Sequence, residues 1–314
     1  MQAKDWLSSE QDGRVQLMDG CYLYLNAAGP ARESLSTPAV VLVHGLGGTA
    51  SEWRAVQRLL ARFARVYLYE RAGHYKSDAP TKPPTPPNIA ADLRALLTAA
   101  KVEPPYLLIG HSYGGVLIRQ FLANYTDDVF GMVIIDSVPV VNRFPGVWTT
   151  LLGDKKYEEV IGLHANIGIA EDEYQIIRHE SELNEAAGGI AEKELELMVP
   201  DNQRLKKLLH GKKLLGNRRL SVIFCDESND FQRVYDYGVK HGHGTLEEQE
   251  IVRMHLENMS VEDEAAQREQ LALSSNARFV KTDGKRATHN VHLVDPEWVA
   301  QQIRWVFDGT EPEQ

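Results

Sequence analysis

A serine stands between two glycines in the segment IGHSYGG, residues 109–115. Ser112 occupies the centre of a Gly-x-Ser-x-Gly pattern, after an apolar run typical of a buried strand (106–109) and before one typical of a buried helix (116–122). We expect a sharp strand-to-helix turn that exposes the serine hydroxyl, with glycines relieving backbone crowding. Because a serine hydroxyl attacks only when a base takes its proton, the pattern predicts a nucleophile that needs a histidine.

His289 is the best-placed base among the eleven histidines of the chain. It follows the last apolar run (278–281) through a polar loop. In a parallel sheet, such a loop opens at the same edge as the loop that carries Ser112. His292 is the competing candidate, but its surroundings are more typical of the start of the closing helical segment.

Four other histidines are expected to have no catalytic role. His44 and His111 belong to glycine turns, where we expect them to support the backbone. His241 and His243, in KHGHGT, are more typical of a solvated loop than of a metal site, because no further ligands accompany them. The expected chemistry requires neither a metal nor an organic cofactor.

Two backbone N–H groups are candidates for an oxyanion hole. HGLGG, residues 44–48, follows the first central strand, and its glycines allow the backbone to approach a substrate closely. We assign the N–H groups of Leu46 and of Tyr113, the residue after the serine, to the negative oxygen formed on attack.

The order of elements predicts an α/β fold with a mostly parallel sheet and helices on both faces. An antiparallel hairpin (15–18 and 21–25) precedes the first central strand. Between 135 and 220 the alternation gives way to a long, acidic, helix-rich stretch. We therefore predict a core domain formed by residues 1–139 and 218–314, with a helical cap, residues 140–217, inserted between two core strands. The buried strands are predicted at 39–43, 66–69, 106–109, 132–135, 220–224 and 278–281. Helices are predicted to begin at about Ser51, with Ser51 as the N-cap, and at about Asn88. The stretch from 228 to about 275 is also longer than a connecting loop requires.

Composition limits the partners and the location. The 314 residues carry a net charge of −10 and no dense basic run, which argues against nucleic acid. No apolar stretch reaches the roughly 20 residues of a membrane span, and the N-terminus lacks the apolar core of a secretion signal. Cys21 and Cys225 are expected to be free thiols in a reducing compartment, so the cytoplasm is the expected location.

The chain resembles the α/β-hydrolase superfamily. The matching pieces are VVLVHGLGG, YERAGHYKSD, LLIGHSYGG, MVIIDS and ATHNVHL, which stand in the family's order between residues 39 and 293. The resemblance implies a Ser-His-acid hydrolase with a helical cap, and a structural role for Arg71. The glycine that usually precedes the family's histidine is replaced here by Thr288.

Several acidic residues compete for the third position of the triad. Family members most often take the acid three residues past a glycine that ends a later strand, but here Cys225 and Ser228 hold those places. The nearby candidates are Asp226, Glu227 and Asp230. Some members instead use the acid after the strand that follows the nucleophile's helix. Asp136 sits there without any gap, so Asp136 is the preferred candidate and Asp230 the second.

A dinucleotide-binding interpretation competes for the first glycine turn. GLGGTA, residues 45–50, fits Gly-x-Gly-x-x-Gly/Ala, and Glu70 follows at the distance of a ribose-binding acid. A preceding hairpin, His44 before the first glycine, and the unexplained Ser112 and His289 oppose it. A non-catalytic ligand-binding member of the family is also opposed by the intact Ser112 and His289.

The expected activity is hydrolysis of a carboxylic ester or lactone through an acyl-enzyme. Lyases and carbon–carbon hydrolases share the same residues and stay open, whereas the aspartate-nucleophile branches of the superfamily are opposed by Ser112. We expect the cap to cover the serine and to favour a small or medium apolar substrate. The apolar cap residues Phe144, Trp148, Leu151 and Leu152 line that pocket or form the cap's own core. The oligomeric state stays open.

Overall fold

The computed structural model describes residues 4–137, 146–186 and 189–312. These residues contain eight strands: β1 Gln11–Gln16, β2 Tyr22–Ala28, β3 Ala39–Val43, β4 Val66–Tyr69, β5 Tyr106–His111, β6 Val129–Ile135, β7 Gly216–Phe224 and β8 Ser274–Lys281. They also contain ten α-helices: α1 Arg54–Leu60, α2 Pro86–Ala99, α3 Tyr113–Asn124, α4 Tyr157–Val160, α5 Glu171–Ala186, α6 Ile190–Leu209, α7 Ser228–His241, α8 Leu246–Arg268, α9 Val291–Val294 and α10 Pro296–Asp308.

The strands form one eight-stranded sheet in the order β1-β2-β4-β3-β5-β6-β7-β8. β1 pairs with β2, and β2 with β4, in antiparallel fashion, while every pair from β4 to β8 is parallel. The carboxyl ends of the central strands therefore meet at one edge, where open α/β sheets bind their ligands. The predicted fold class is confirmed, including the antiparallel edge.

Helices cover both faces of the sheet, as the uninterrupted apolar strands predict. All five residues of β3 are buried. Val41 and Val43 pack on the face covered by α2 and α3, and Val40 and Leu42 on the face covered by α1 and α10. This alternation follows from the two-residue period of a strand.

Two predicted helix starts differ from the structure. Ser51 does not cap the first helix, since Ala50–Trp53 form a 3-10 turn that leads into α1. The Ser51 hydroxyl instead donates to Glu180 at 2.6 Å. α2 begins at Pro86 rather than near Asn88, with Thr85 as its N-cap, because proline is favoured in the first helical turn.

Two helical insertions interrupt the regular alternation. α4–α6 lie between β6 and β7, and α7 and α8 lie between β7 and β8. They share one apolar cluster, in which Leu151 and Ile161 of the first insertion pack with Val234 and Val252 of the second. Trp148 and Leu152 pack against this cluster, which favours the cap-core interpretation of these residues, and Phe144 lies outside the described residues.

Cys21 and Cys225 are both buried free thiols beside strands. In the described part of the chain, every helix is too short or too polar to cross a membrane.

Candidate active site

Ser112 sits at the turn between β5 and α3 with φ 53° and ψ −122°. A positive φ is uncommon for any residue other than glycine, and here the strain falls on the serine itself. The flanking glycines serve close packing instead, since a Cβ on Gly114 would lie 2.2 Å from the Val43 carbonyl oxygen. The Ser112 N–H donates to the Ile135 carbonyl at 2.9 Å, which ties the turn to β6.

Asp136 is the acid that contacts the imidazole of His289. Its Oδ2 lies 2.8 Å from His289 Nδ1. Its Oδ1 accepts the backbone N–H of Cys225 and the side-chain amide of Gln267, both at 3.1 Å. Asp136 is 6% exposed, directly follows β6 and has φ 44°. Three hydrogen bonds therefore fix a buried carboxylate against the far nitrogen of the predicted base.

Asp230 holds the loop of His289 rather than its ring. Its Oδ2 accepts the backbone N–H of His289 at 2.9 Å and the hydroxyl of Thr288 at 2.8 Å. Asp230 is fully buried at the start of α7. Thr288, which replaces the glycine usual in the family, thus supplies an extra hydrogen bond to this acid.

The two remaining acid candidates differ in their distance from the site. Asp226 accepts the hydroxyls of Ser228 and Ser260 and so links the turn before α7 to α8. Glu227 approaches the imidazole, with its Oε2 3.9 Å from His289 Nδ1, which is too long for a hydrogen bond. Glu227 therefore acts on His289 through its charge.

The charges around His289 oppose the effect of burial. Burial alone would lower the pKa of His289, but Glu227, Asp136 and Asp230 together raise the pKa above its ordinary value. Burial tends to raise the pKa of Asp136, yet the hydrogen bond from His289 holds that pKa below its usual range. The pair therefore favours an imidazolium beside a carboxylate.

His111 and His292 support the site from behind. The ring of His111 donates from Nε2 to the carbonyl of His289 at 2.8 Å, and burial holds its pKa well below the ordinary value. His292, the competing base, is 1% exposed and stacks on Trp53 with ring centroids 4.8 Å apart. Neither ring lines the cavity over Ser112.

The predicted oxyanion donors belong to two different turns beside the serine, one after β3 and one at the start of α3. Leu46 and Tyr113 line the same cavity as Ser112. A Cβ on Gly45 would lie 3.3 Å from the Cβ of Ser112, so the turn after β3 packs directly against the serine. Tyr113 is the first residue of α3, where N–H groups have no acceptor within the helix.

Arg71 holds the turn after β3 through hydrogen bonds to its backbone. It donates to the carbonyls of His44 at 2.9 Å and Gly45 at 2.8 Å. It also forms two hydrogen bonds with Glu194 of α6, at 2.8 and 2.9 Å, and both side chains are buried. Its guanidinium lies 5.4 Å from the ring centre of Tyr113. The sequence indicated a structural role for Arg71 but gave no sign of its partner, 123 residues away.

A cavity of about 200 Å³ opens over Ser112. Of the predicted cap, residues 140–217, only Met198 lines it among the described residues; the rest of the outer wall comes from α7 and α8 and the turn before α7. The sequence predicts that the stretch from 228 to about 275, which contains α7 and α8, is longer than a connecting loop. It does not predict that this stretch covers the serine. That part of the outer wall consists of Glu227, Phe231, His255, Met259, Asp263 and Gln267.

Two groups of side chains in the described residues have ligand atoms close enough to hold a metal ion. In the group of His44, Glu70 and His74, the cationic Arg71 lies 3.0 Å from His44 Nδ1 and opposes a second cation. The other group is Asp136, Glu227 and His289, where a metal would compete for the imidazole nitrogen that contacts Asp136.

The acid that the dinucleotide-binding interpretation assigns to the ribose, Glu70, binds the glycine turn of residues 45–50 instead. Glu70 is fully buried, and its Oε1 accepts the backbone N–H of Ala50 at 2.8 Å. A ribose-binding acid must face the ligand, whereas this one binds the turn itself. The sequence match is therefore a consequence of backbone packing.

Comparisons with known proteins agree with this architecture. A family model described as the α/β hydrolase fold matches residues 38–156. A protein of Gibberella zeae described as an AB hydrolase superfamily protein is 30% identical over 305 residues, covering 90% of this chain and 90% of its own length.

Solved structures share the fold at low sequence identity. An enol-lactonase from Burkholderia xenovorans has a TM-score of 0.60 at 16% identity, covering 93% of this chain and 98% of that one. An esterase from Rhodococcus has a TM-score of 0.58 at 18% identity, covering 94% and 98%. With the match to the Gibberella zeae relative over 90% of each protein, these findings lead to one conclusion: the chain belongs to the α/β-hydrolase superfamily.

Proposed function

We propose that this hydrolase cleaves a carboxylic ester or a lactone through an acyl-enzyme formed on Ser112. The observation that carries the proposal is the 2.8 Å contact between His289 Nδ1 and Asp136 Oδ2 beside the strained serine turn. That contact leaves Nε2 of His289 as the nitrogen that exchanges a proton with Ser112.

The proposed reaction has two halves. Ser112 Oγ attacks the carbonyl carbon while His289 takes the hydroxyl proton, and the N–H groups of Leu46 and Tyr113 bind the resulting oxyanion. His289 then gives the proton to the leaving alkoxide, and the C–O bond breaks. Water repeats the sequence on the acyl-enzyme and releases the acid. Asp136 fixes the tautomer of His289 and stabilises the imidazolium in both halves.

We also propose that the core comprises residues 1–139 and 218–314 and that residues 140–217 form a cap. The apolar cluster shared by Leu151 and Val234 supports a cap that packs against α7 and α8. The lining of the cavity by α8 supports a part for this helix in substrate choice.

The test is labelling with a fluorophosphonate together with turnover of a series of p-nitrophenyl esters and lactones. Ser112→Ala should lose labelling and at least about a thousandfold in turnover. Ser137→Ala is the matched control, since Ser137 lines the same cavity and should leave labelling intact. Undiminished turnover by Ser112→Ala would refute the proposal.

A further inference from the structure

Among the described residues, the cavity over Ser112 has an acidic wall without a lysine or arginine. Glu227 and Asp263 both line it, together with the apolar Leu46 and Val116. None of the described lining residues is Lys or Arg. The only cation within ion-pair distance of Glu227 in the described chain is His289, which already contacts Asp136. His255 also lines the cavity, but burial lowers its pKa, so the described lining carries more carboxylates than cations.

A second feature is a buried acceptor that lacks a donor. Gln267 is 2% exposed and lines the same cavity. Its Nε2 donates to Asp136, whereas its Oε1 is buried and has no hydrogen-bond partner. A buried carbonyl oxygen without a donor is unfavourable, so an N–H group that a ligand brings to this wall would stabilise it once the side-chain amide turns toward the cavity.

The rest of the wall suits the carbon skeleton around such a group. Phe231, Met198 and Met259 supply an aromatic ring and two thioethers that adapt to alkyl chains. An aromatic face also attracts a cation. The cavity thus combines anions, a free acceptor and apolar contact, a set that matches an alkylammonium group.

We propose that the substrate is an ester or lactone carrying a protonated amine, bound by the carboxylates of Glu227 and Asp263 and the Oε1 of Gln267. This inference rests on the proposed ester or lactone hydrolysis and adds a positive charge to the apolar substrate expected from the sequence.

The ionisation of the two acids agrees with this assignment. Burial, reinforced by neighbouring carboxylates, raises the pKa of Glu227 to about 7 and that of Asp263 to about 7. A bound ammonium ion stabilises the carboxylate form of each, so it would restore both charges at neutral pH. An uncharged substrate would leave the two acids partly protonated at neutral pH.

The test compares 2-(dimethylamino)ethyl butyrate with 3-methylbutyl butyrate, which differ only by an ammonium N–H in place of a carbon C–H. Each kcat/KM is divided by the rate of alkaline hydrolysis of the same ester, and a chelator excludes metal at Asp136, Glu227 and His289. We expect the cationic ester to be preferred about 10-fold to 100-fold, the range of charged hydrogen bonds.

The variant that isolates the effect is Asp263→Asn, because Asp263 makes no contact with His289 in the described structure. It should lower the ratio of the two normalised kcat/KM values, cationic over neutral ester, about tenfold. Glu257→Gln, an exposed acid on the same helix outside the cavity, should change neither rate.

Protection of wild-type Ser112 from fluorophosphonate by each ester gives a second readout that does not need turnover. If the enzyme uses the neutral ester equally well or better, and both esters protect Ser112 equally, the inference is overturned. Labelling of Ser112 in the same experiment would still uphold the proposed function. Absence of both labelling and turnover instead overturns the proposed function itself.

Discussion

Asp230 contacts the backbone of His289 and not its ring. Its carboxylate accepts the His289 N–H at 2.9 Å, whereas the imidazole Nδ1 lies 2.8 Å from Asp136. The two acids therefore hold different parts of the same residue. Asp136 sets the tautomer of the ring, and Asp230 sets the position of the loop that carries it.

This division predicts unequal effects of amide substitution. Asp136→Asn should lower kcat about ten-thousandfold, because the imidazole loses the carboxylate that orients it. Asp230→Asn should instead lower the free energy of unfolding by about 1–3 kcal/mol, since a buried charged acceptor is lost, with a much smaller effect on kcat. Turnover and urea denaturation of both variants check this. Near-normal kcat for Asp136→Asn with a collapse for Asp230→Asn would assign the acid to the other strand.

The pH dependence should report the acids around His289. His289 must be neutral to accept a proton, and its pKa is raised by Glu227, Asp136 and Asp230, so kcat/KM should rise with pH through a value above the ordinary histidine pKa. Glu227→Gln removes one negative charge, lowers the pKa of His289 and should move this rise to lower pH. A pH profile of both enzymes measures the shift. A rise that moves to higher pH, or stays in place, would contradict the role given to Glu227.

The ion pair between Arg71 and Glu194 should couple α6 to the oxyanion turn. Glu194→Gln leaves a buried guanidinium without its counter-ion, so we expect a loss of about 3–5 kcal/mol in stability. It should also lower kcat more than it changes KM, because Arg71 holds the carbonyls next to Leu46. Urea unfolding and steady-state kinetics test this, with the exposed Glu196→Gln on the same helix as control. An unchanged kcat would limit the pair to a purely structural role.

The close packing behind the serine turn predicts that Gly114 tolerates no side chain. A Cβ there would lie 2.2 Å from the Val43 carbonyl oxygen, so Gly114→Ala should shift β3 or the turn and cost about 1–3 kcal/mol or more. Gly146→Ala serves as control, since nothing lies within 4 Å of a Cβ at that position. Thermal unfolding of both variants measures the difference, and equal stability would show that the backbone relaxes.

The sheet, and the placement of Ser112 and His289 at its edge, can be predicted from the pattern of neighbouring residues along the chain. Apolar runs of strand length, glycine turns and the alternation with helices are properties of contiguous residues, and parallel strands bring their carboxyl ends together whatever the connections contain. The sequence therefore determined the fold class, the serine turn and the loop that carries the predicted base.

The choice of acid required the tertiary structure. The four acid candidates follow two neighbouring strands, with Asp136 after β6 and the other three, Asp226, Glu227 and Asp230, after β7. Each therefore lies within a few residues of the site. Which carboxylate reaches His289 Nδ1 depends on side-chain direction at the end of each strand, and spacing along the chain does not fix that direction.

The cover of the cavity and the partner of Arg71 were likewise decided by packing. α8 reaches over Ser112 because its apolar face joins that of the first insertion, and Glu194 reaches Arg71 because α6 folds back over the turn after β3. These contacts join residues far apart in the chain. A pattern read along the sequence shows which face of a helix is apolar, but which surface that face covers depends on the shapes of both partners.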